Sequence, residues 1–151
     1  MNRAWRIVRE SLGSTAFDGE GARLFGGRWN SRGTRMVYTS ATLSLAALET
    51  LVHLNPPVAF KYVAISIDFD EALVATVDAM DLPPDWNEEP PPPSAAEIGD
   101  RWVKESRSAV LELPSVIIPA ETNYLINPAH SDFKRIHIGK PLPFSFDPRL
   151  I

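Results

Sequence analysis

Short stretches with the two-residue period of a β-strand recur along this chain in no regular alternation with helical ones, and that order limits the folds open to it. The clearest strand is residues 60–68, FKYVAISID, rich in β-branched and aromatic residues. Residues 4–9 (AWRIVR) and 34–40 (TRMVYTS) have the same character, and 73–77 and 134–138 read as shorter strands. In 4–9 the arginines cannot both be dry, so an edge strand is expected there. Residues 109–113 (AVLEL) and 116–118 form a pair broken by Pro114-Ser115, with Ser115 at a kink or bulge.

Two segments have helical spacing. Residues 44–55 (SLAALETLVHLN) follow a cap at Thr42 or Ser40 and stop at Pro56-Pro57. Residues 94–105 open on Ser94 with Glu97 three positions later, a capping box. Residues 11–27 and 121–133 have turn composition, the proline-dense acidic run 81–94 is a connection, and 141–151 is a tail with apolar anchors. The resulting class is α+β: mixed, mostly antiparallel small sheets with flanking helices. A length of 151 residues suits a single domain, 1–151. A dinucleotide-binding Rossmann unit is excluded, because GEGARLFGG neither follows a strand in the GxGxxG pattern nor opens its helix.

Composition narrows the chemistry. There is no cysteine, which removes disulfides, thiolate catalysis and zinc–thiolate sites. His53, His130 and His137 have no metal-ligand spacing, so no metal is expected. The net charge of −4 argues against direct nucleic-acid binding. It is unevenly spread: seven arginines (3, 6, 9, 23, 28, 32 and 35) crowd the first quarter, while 68–97 is acidic. An anionic small ligand held by the N-terminal part would suit that asymmetry. No apolar run reaches membrane-spanning length and the start lacks a signal-peptide core, so a cytoplasmic protein is expected.

The polar groups concentrate between Gly19 and Glu49, where a Gly/Arg-rich loop, a strand and a helix follow one another. Glycine lets backbone N–H groups approach a phosphate, and arginine offers a forked, permanently charged donor. Glu49 lies on or beside the apolar stripe of Leu45, Leu48, Val52 and their neighbours, a position that marks either a solvent-edge residue or a pocket. His53, one turn on, is either its partner or a packed helix residue. A lone carboxylate with arginines suits cleavage of a bond that develops an oxocarbenium ion, beside the blander reading of a solvated helix face.

The string GARLFGGRWNSRGTRMVYTSATLSLAALETLVHL resembles the RES-domain family, the toxin halves of bacterial RES–Xre toxin–antitoxin pairs, named after an arginine, a glutamate and a serine. SAVLELPSVIIPAETNYLINPAHSDF resembles its second signature, so the likeness spans nearly the whole chain. It implies the fold of ADP-ribosyltransferase toxins and NAD⁺ as substrate, not cofactor. The nicotinamide–ribose bond would be cut by a glycohydrolase or phosphorylase; protein ADP-ribosyl transfer and a catalytically silent antitoxin-binding module are the alternatives. The partner it implies is an Xre-type helix-turn-helix antitoxin, with a homodimer inside the toxin–antitoxin complex as a compatible assembly.

The resemblance carries roles onto Arg28 in GGRWN, Tyr38, Glu49 and Ser115 in LPSVIIP as catalytic residues. Arg6, Arg28, Tyr38 and Asn123 in TNYLINP are implied as NAD-binding. Arg6 and Arg28 would pair with the pyrophosphate or orient Glu49, Tyr38 would stack on nicotinamide, and Ser115 would fix a ribose or amide group.

Overall fold

A computed structural model describes residues 1–54 and 60–150; the expected stop at Pro56-Pro57 lies outside them. Eight strands form one sheet in the order β4-β5-β6-β2-β1-β3-β7, with β8 also on β3. These are β1 (Asn2–Arg9), β2 (Val37–Ser40), β3 (Tyr62–Phe69), β4 (Val74–Thr76), β5 (Val110–Pro114), β6 (Thr122–Ile126), β7 (His137–Ile138) and β8 (Leu142–Phe144). Only β4 and β5 run parallel; the other pairings are antiparallel. The helices are α1 (Glu20–Phe25), α2 (Leu43–Leu51) and α3 (Pro93–Lys104). No described helix is long and apolar enough to cross a membrane.

Strand alternation sorts the side chains onto two faces. Ala4, Val37, Val63, Ile65, Ile67, Phe69, Val110, Tyr124 and Ile126 share one core, closed by Phe17 and Ile136. On the opposite face α2 packs its Ala46, Ala47 and Leu51 with Ile7, Tyr62 and Ala64 of β1 and β3. Beside it α3 packs Ala95 and Trp102 with Leu111, Leu113 and Leu125 of β5 and β6. The register sets Leu113, Asn123, Ser40 and Trp5 in one row across four strands of that face. The row runs through the seam between the two helices, and polar side chains interrupt an otherwise apolar surface there.

Several sequence expectations change. Strand β1 lies in the middle of the sheet between β2 and β3, not at an edge. Its pairing to β2 is a single register contact, Trp5 opposite Ser40, whereas it pairs with β3 along its whole length. Arg6 fills the gap between the diverging strands: its Nε donates to Ala16 O at 2.7 Å and its Nη1 to Tyr38 O at 3.0 Å. A buried carbonyl that lacks a ladder partner is costly, and the guanidinium meets that need.

Residues 11–27, expected as loop, carry a 3₁₀ turn and α1. Residues 122–126, also expected as loop, form the strand β6 that joins β5 to β2. The strand expected at 116–118 is not formed. The Ile117 and Ile118 N–H groups donate to Ser115 Oγ, each at 3.1 Å, so the hydroxyl takes the place of a ladder acceptor. Of residues 134–138 only His137 and Ile138 are strand, after a 3₁₀ turn at Ser131–Arg135, and the tail contributes β8.

At the helix starts, Thr42 Oγ1 accepts from Leu45 N–H at 3.1 Å and caps α2. Ser94 caps nothing; α3 begins at Pro93, and the Ser94 hydroxyl donates to Asp85 Oδ1 at 2.8 Å. Proline at the first helical position suits α3 because that N–H has no partner within the helix.

Candidate active site

Glu49 rises from α2 over the polar row. Its Oε1 accepts from Ser115 Oγ at 2.7 Å and from Asn123 Nδ2 at 2.8 Å. Asn123 Oδ1 accepts in turn from Ser40 Oγ at 2.8 Å. Two side chains thus hold one carboxylate oxygen, Ser115 just past β5 and Asn123 on β6, with Ser40 of β2 bracing Asn123, while Oε2 takes no hydrogen bond among the described residues. His53 is exposed beyond the end of α2 and plays no part.

Ser115 is 0 % exposed, and its hydroxyl is fully committed. The proton goes to Glu49 and the lone pairs to two backbone N–H groups, so it acts as an anchor and is not free to attack.

Tyr38 and Arg28 form the adjoining set. Tyr38 lies two residues before Ser40 on the same face of β2. Its hydroxyl donates to Asn30 Oδ1 at 2.6 Å and accepts from Trp29 N–H at 3.1 Å. Burial pushes the phenol pKa well up, so it stays neutral at physiological pH. The turn bearing Arg28 closes tightly over it. A Cβ on Gly27 would stand 2.6 Å from the Tyr38 oxygen, which only glycine avoids.

The Arg28 side chain is 13 % exposed and turns toward the proline-rich segment. Its Nη1 donates to Trp86 O at 3.1 Å and Glu88 O at 2.7 Å, and its Nη2 reaches Glu89 Oε2 at 2.6 Å. Trp86 stacks near Trp29 with ring centroids 6.2 Å apart and planes 22° from parallel. The acidic connection is therefore strapped to the Gly/Arg turn, and a carboxylate occupies the arginine fork.

Glu49, Ser115 and Asn123 are thus in direct contact; Tyr38 lies two residues from Ser40 on the same face of β2, and the Trp29–Asn30 turn links it to Arg28. Arg6 stands apart: it belongs to the opposite face of the sheet and reaches the site only through the Tyr38 carbonyl. Burial lowers its pKa to about 10, which leaves it cationic at neutral pH. Neither arginine touches Glu49, so the expectation that one of them orients the carboxylate gives way to Ser115 and Asn123 in that role. Two surface grooves of about 550 and 610 Å³ run beside Gly13, Ser14 and Ile138 and are lined by none of these six residues. No group of three or more His, Asp or Glu has metal-binding geometry among the described residues.

Two participants escaped sequence reasoning. Ser40 was readable by the strand period from Tyr38 but is overshadowed by its fitness as a helix cap. Asn30 stands inside GGRWN, where nothing in the spacing says that its amide would meet a phenol eight residues on.

Comparison with known proteins gives the family and the fold. The family model described as the RES domain matches residues 3–147. Toxin Res of Yersinia enterocolitica is 34 % identical over 148 residues, covering 97 % of both chains. Toxin Res of Photorhabdus laumondii is 39 % identical over 149 residues, covering 97 % of this chain and 96 % of its own. The Prs ADP-ribosylating toxin of Sphingobium sp. is 42 % identical over 154 residues, covering 97 % and 95 %. Among solved structures, a chain of the M. tuberculosis MbcT–MbcA toxin–antitoxin complex superposes with a TM-score of 0.72 at 16 % identity, over 95 % of this chain and 84 % of that one. The likeness in structure gives the α+β fold, and the family match together with the relatives in sequence gives the lineage: the chain belongs to the RES domain family.

Proposed function

We propose that this chain is the toxin of a toxin–antitoxin pair and that it cleaves the nicotinamide–ribose bond of NAD⁺. The observation that carries the reading is Glu49: one carboxylate oxygen is fixed by Ser115 and Asn123, and the other has no donor among the described residues. A carboxylate so held, over the sheet face that also carries the neutral Tyr38 ring, suits a developing oxocarbenium ion. Three relatives are named toxins, one of them ADP-ribosylating.

In this reading the Tyr38 ring stacks on nicotinamide and Glu49 Oε2 faces the ribose. The C–N bond breaks with its electron pair going to the ring, which leaves as neutral nicotinamide and needs no general acid. The acceptor oxygen bonds to the anomeric carbon and releases its proton to solvent. Asn123 and Ser115 keep Glu49 aimed at that carbon. Arg28 holds the pyrophosphate, and Arg6 adds a positive charge behind Tyr38. The partner is an antitoxin of the Xre helix-turn-helix type, and NAD⁺ as substrate places the action in the cytoplasm.

Purified chain free of antitoxin should release nicotinamide from NAD⁺, with ADP-ribose as co-product in water and ADP-ribose 1″-phosphate when phosphate is the acceptor. The name of the Sphingobium relative favours a second reading, transfer of ADP-ribose to a protein, in which label from NAD⁺ appears in a protein band. Neither nicotinamide nor labelled protein would overturn both.

Glu89 stands where an anionic ligand of Arg28 would bind. Its own side chain is 76 % exposed, so its hold is weak and exchangeable. Glu89→Gln should lower KM for NAD⁺ by about three-fold with kcat unchanged, as steady-state kinetics would show. An unaltered KM would mean that Arg28 secures the strap and does not grip phosphate.

A further inference from the structure

The most completely bonded polar side chain around the site is one to which no role has yet been given. Asn30 is 1 % exposed. Its Nδ2 donates to the carbonyls of Ala22 at 2.8 Å, Ser31 at 3.2 Å and Thr34 at 3.1 Å, while Oδ1 accepts from the Tyr38 hydroxyl. Carbonyl oxygens only accept, so the amide can sit just one way round, with its oxygen toward the phenol. The Asn30 main chain closes on the other side of Arg28, with Gly27 N–H donating to Asn30 O at 3.0 Å. One side chain therefore ties α1, the turn carrying Arg28 and the phenol of Tyr38 together.

We propose that Asn30 is a positioning residue of the reaction, holding the Tyr38 ring and the Arg28 turn in register with Glu49. This rests on the NAD⁺-cleaving reading. The ring is pinned at both ends, by β2 at Cα and by Asn30 and Trp29 at the hydroxyl, so it cannot turn to a second orientation. With donor and acceptor capacity both spent on the protein, the phenol presents only its face to a ligand. A substrate ring that stacks there meets a surface whose plane is already set, and the ordering cost is met on folding instead of in the complex. An apolar residue in place of Asn30 would fill the space, but Thr34 O would lose its Nδ2 donor, Ala22 O and Ser31 O would keep only the Gly26 and Thr34 N–H groups, and the phenol would be free to tilt.

The test is a double-mutant cycle of Asn30→Ala and Tyr38→Phe, read as kcat/KM for nicotinamide release, alongside NMR of protein labelled at tyrosine Cζ. The chain has three tyrosines, and the Tyr38 signal is the one missing from Tyr38→Phe. Each single substitution should lower kcat/KM about ten-fold, the size of one lost hydrogen bond, and the double should be no worse than the poorer single. In Asn30→Ala the Tyr38 signal alone should shift or broaden. Losses that multiply to about a hundred-fold, or an unmoved Tyr38 signal, would overturn the assignment. Should Asn30→Ala not fold, Tyr38→Phe decides alone, since it leaves the three carbonyl contacts intact: a ten-fold loss supports the tether and full activity refutes it. A wild type that releases no nicotinamide overturns the enzymatic reading and this assignment together. An active wild type with independent losses overturns only the role of Asn30.

Discussion

Glu49→Gln is expected to slow nicotinamide release by about 10³-fold while the protein stays folded. Glutamine has the same shape, and its amide oxygen can keep the bonds from Ser115 Oγ and Asn123 Nδ2. What disappears is the negative charge on the oxygen that faces the ribose. The full charge is needed only as the sugar becomes cationic, so the loss should fall on kcat with little change in KM. Unfolding midpoints should match the wild type within about 1 kcal/mol, because one anchored acceptor replaces another. Cells should also tolerate the variant where the parent arrests growth. Turnover within ten-fold of wild type would show that the carboxylate is not the stabilising group, and the NAD⁺ reading would lose its main support.

Gly99→Ala is expected to destabilise the protein by about 3 kcal/mol or more, against the sign that helix propensity gives. Gly99 lies within α3, where alanine in an open site would gain about 1 kcal/mol. Here an added Cβ would stand 1.7 Å from Trp29 O and 2.8 Å from Met36 Cε, so the helix and the turn cannot both stay in place. The Trp29 turn sits directly on α3 at this point, and Ser31 N–H donates to Asp100 Oδ1 at 2.9 Å beside it. The same displacement would pull Trp29 N–H from the Tyr38 hydroxyl, so activity should fall even in the fraction that remains folded. Gly21 in α1 is the control. A Cβ there meets nothing within 4 Å, and Gly21→Ala should be neutral or stabilising. Chemical denaturation of the two variants compares them directly; equal stabilities would mean that the contact between α3 and the turn is loose.

Local pattern read well where one physical signal dominated. Alternating β-branched and aromatic residues announced β1, β2 and β3, and apolar spacing with Thr42 announced α2. It failed where side chains did two jobs. Asn123 and Asn127 resemble turn residues, yet Asn123 sits in β6 because its amide bridges Ser40 and Glu49, while Asn127 Oδ1 accepts from Ala129 N–H at 3.0 Å just beyond the strand. The helix α1 was hidden by Gly19, Gly21, Gly26 and Gly27. Six residues are too few to be helical by propensity, and α1 is held at the Ala22 carbonyl, which accepts from both Asn30 Nδ2 and Gly26 N–H.

By itself the sequence determined the mixed fold class, the absence of thiol chemistry and, through its motifs, the membership of a family. The neighbours of the motif residues came only from the tertiary structure. Residues 49, 115 and 123 meet because β6 pairs with β5 on one side and β2 on the other, a register that sequence separation does not reveal. Arg6 and Arg28 show the limit most plainly. An arginine in the sequence reads as a free cation, yet one fills a gap between strands and the other is latched by Glu89. What a charged side chain does depends on which carbonyls and carboxylates the fold brings within 3 Å, and those partners are distant in sequence.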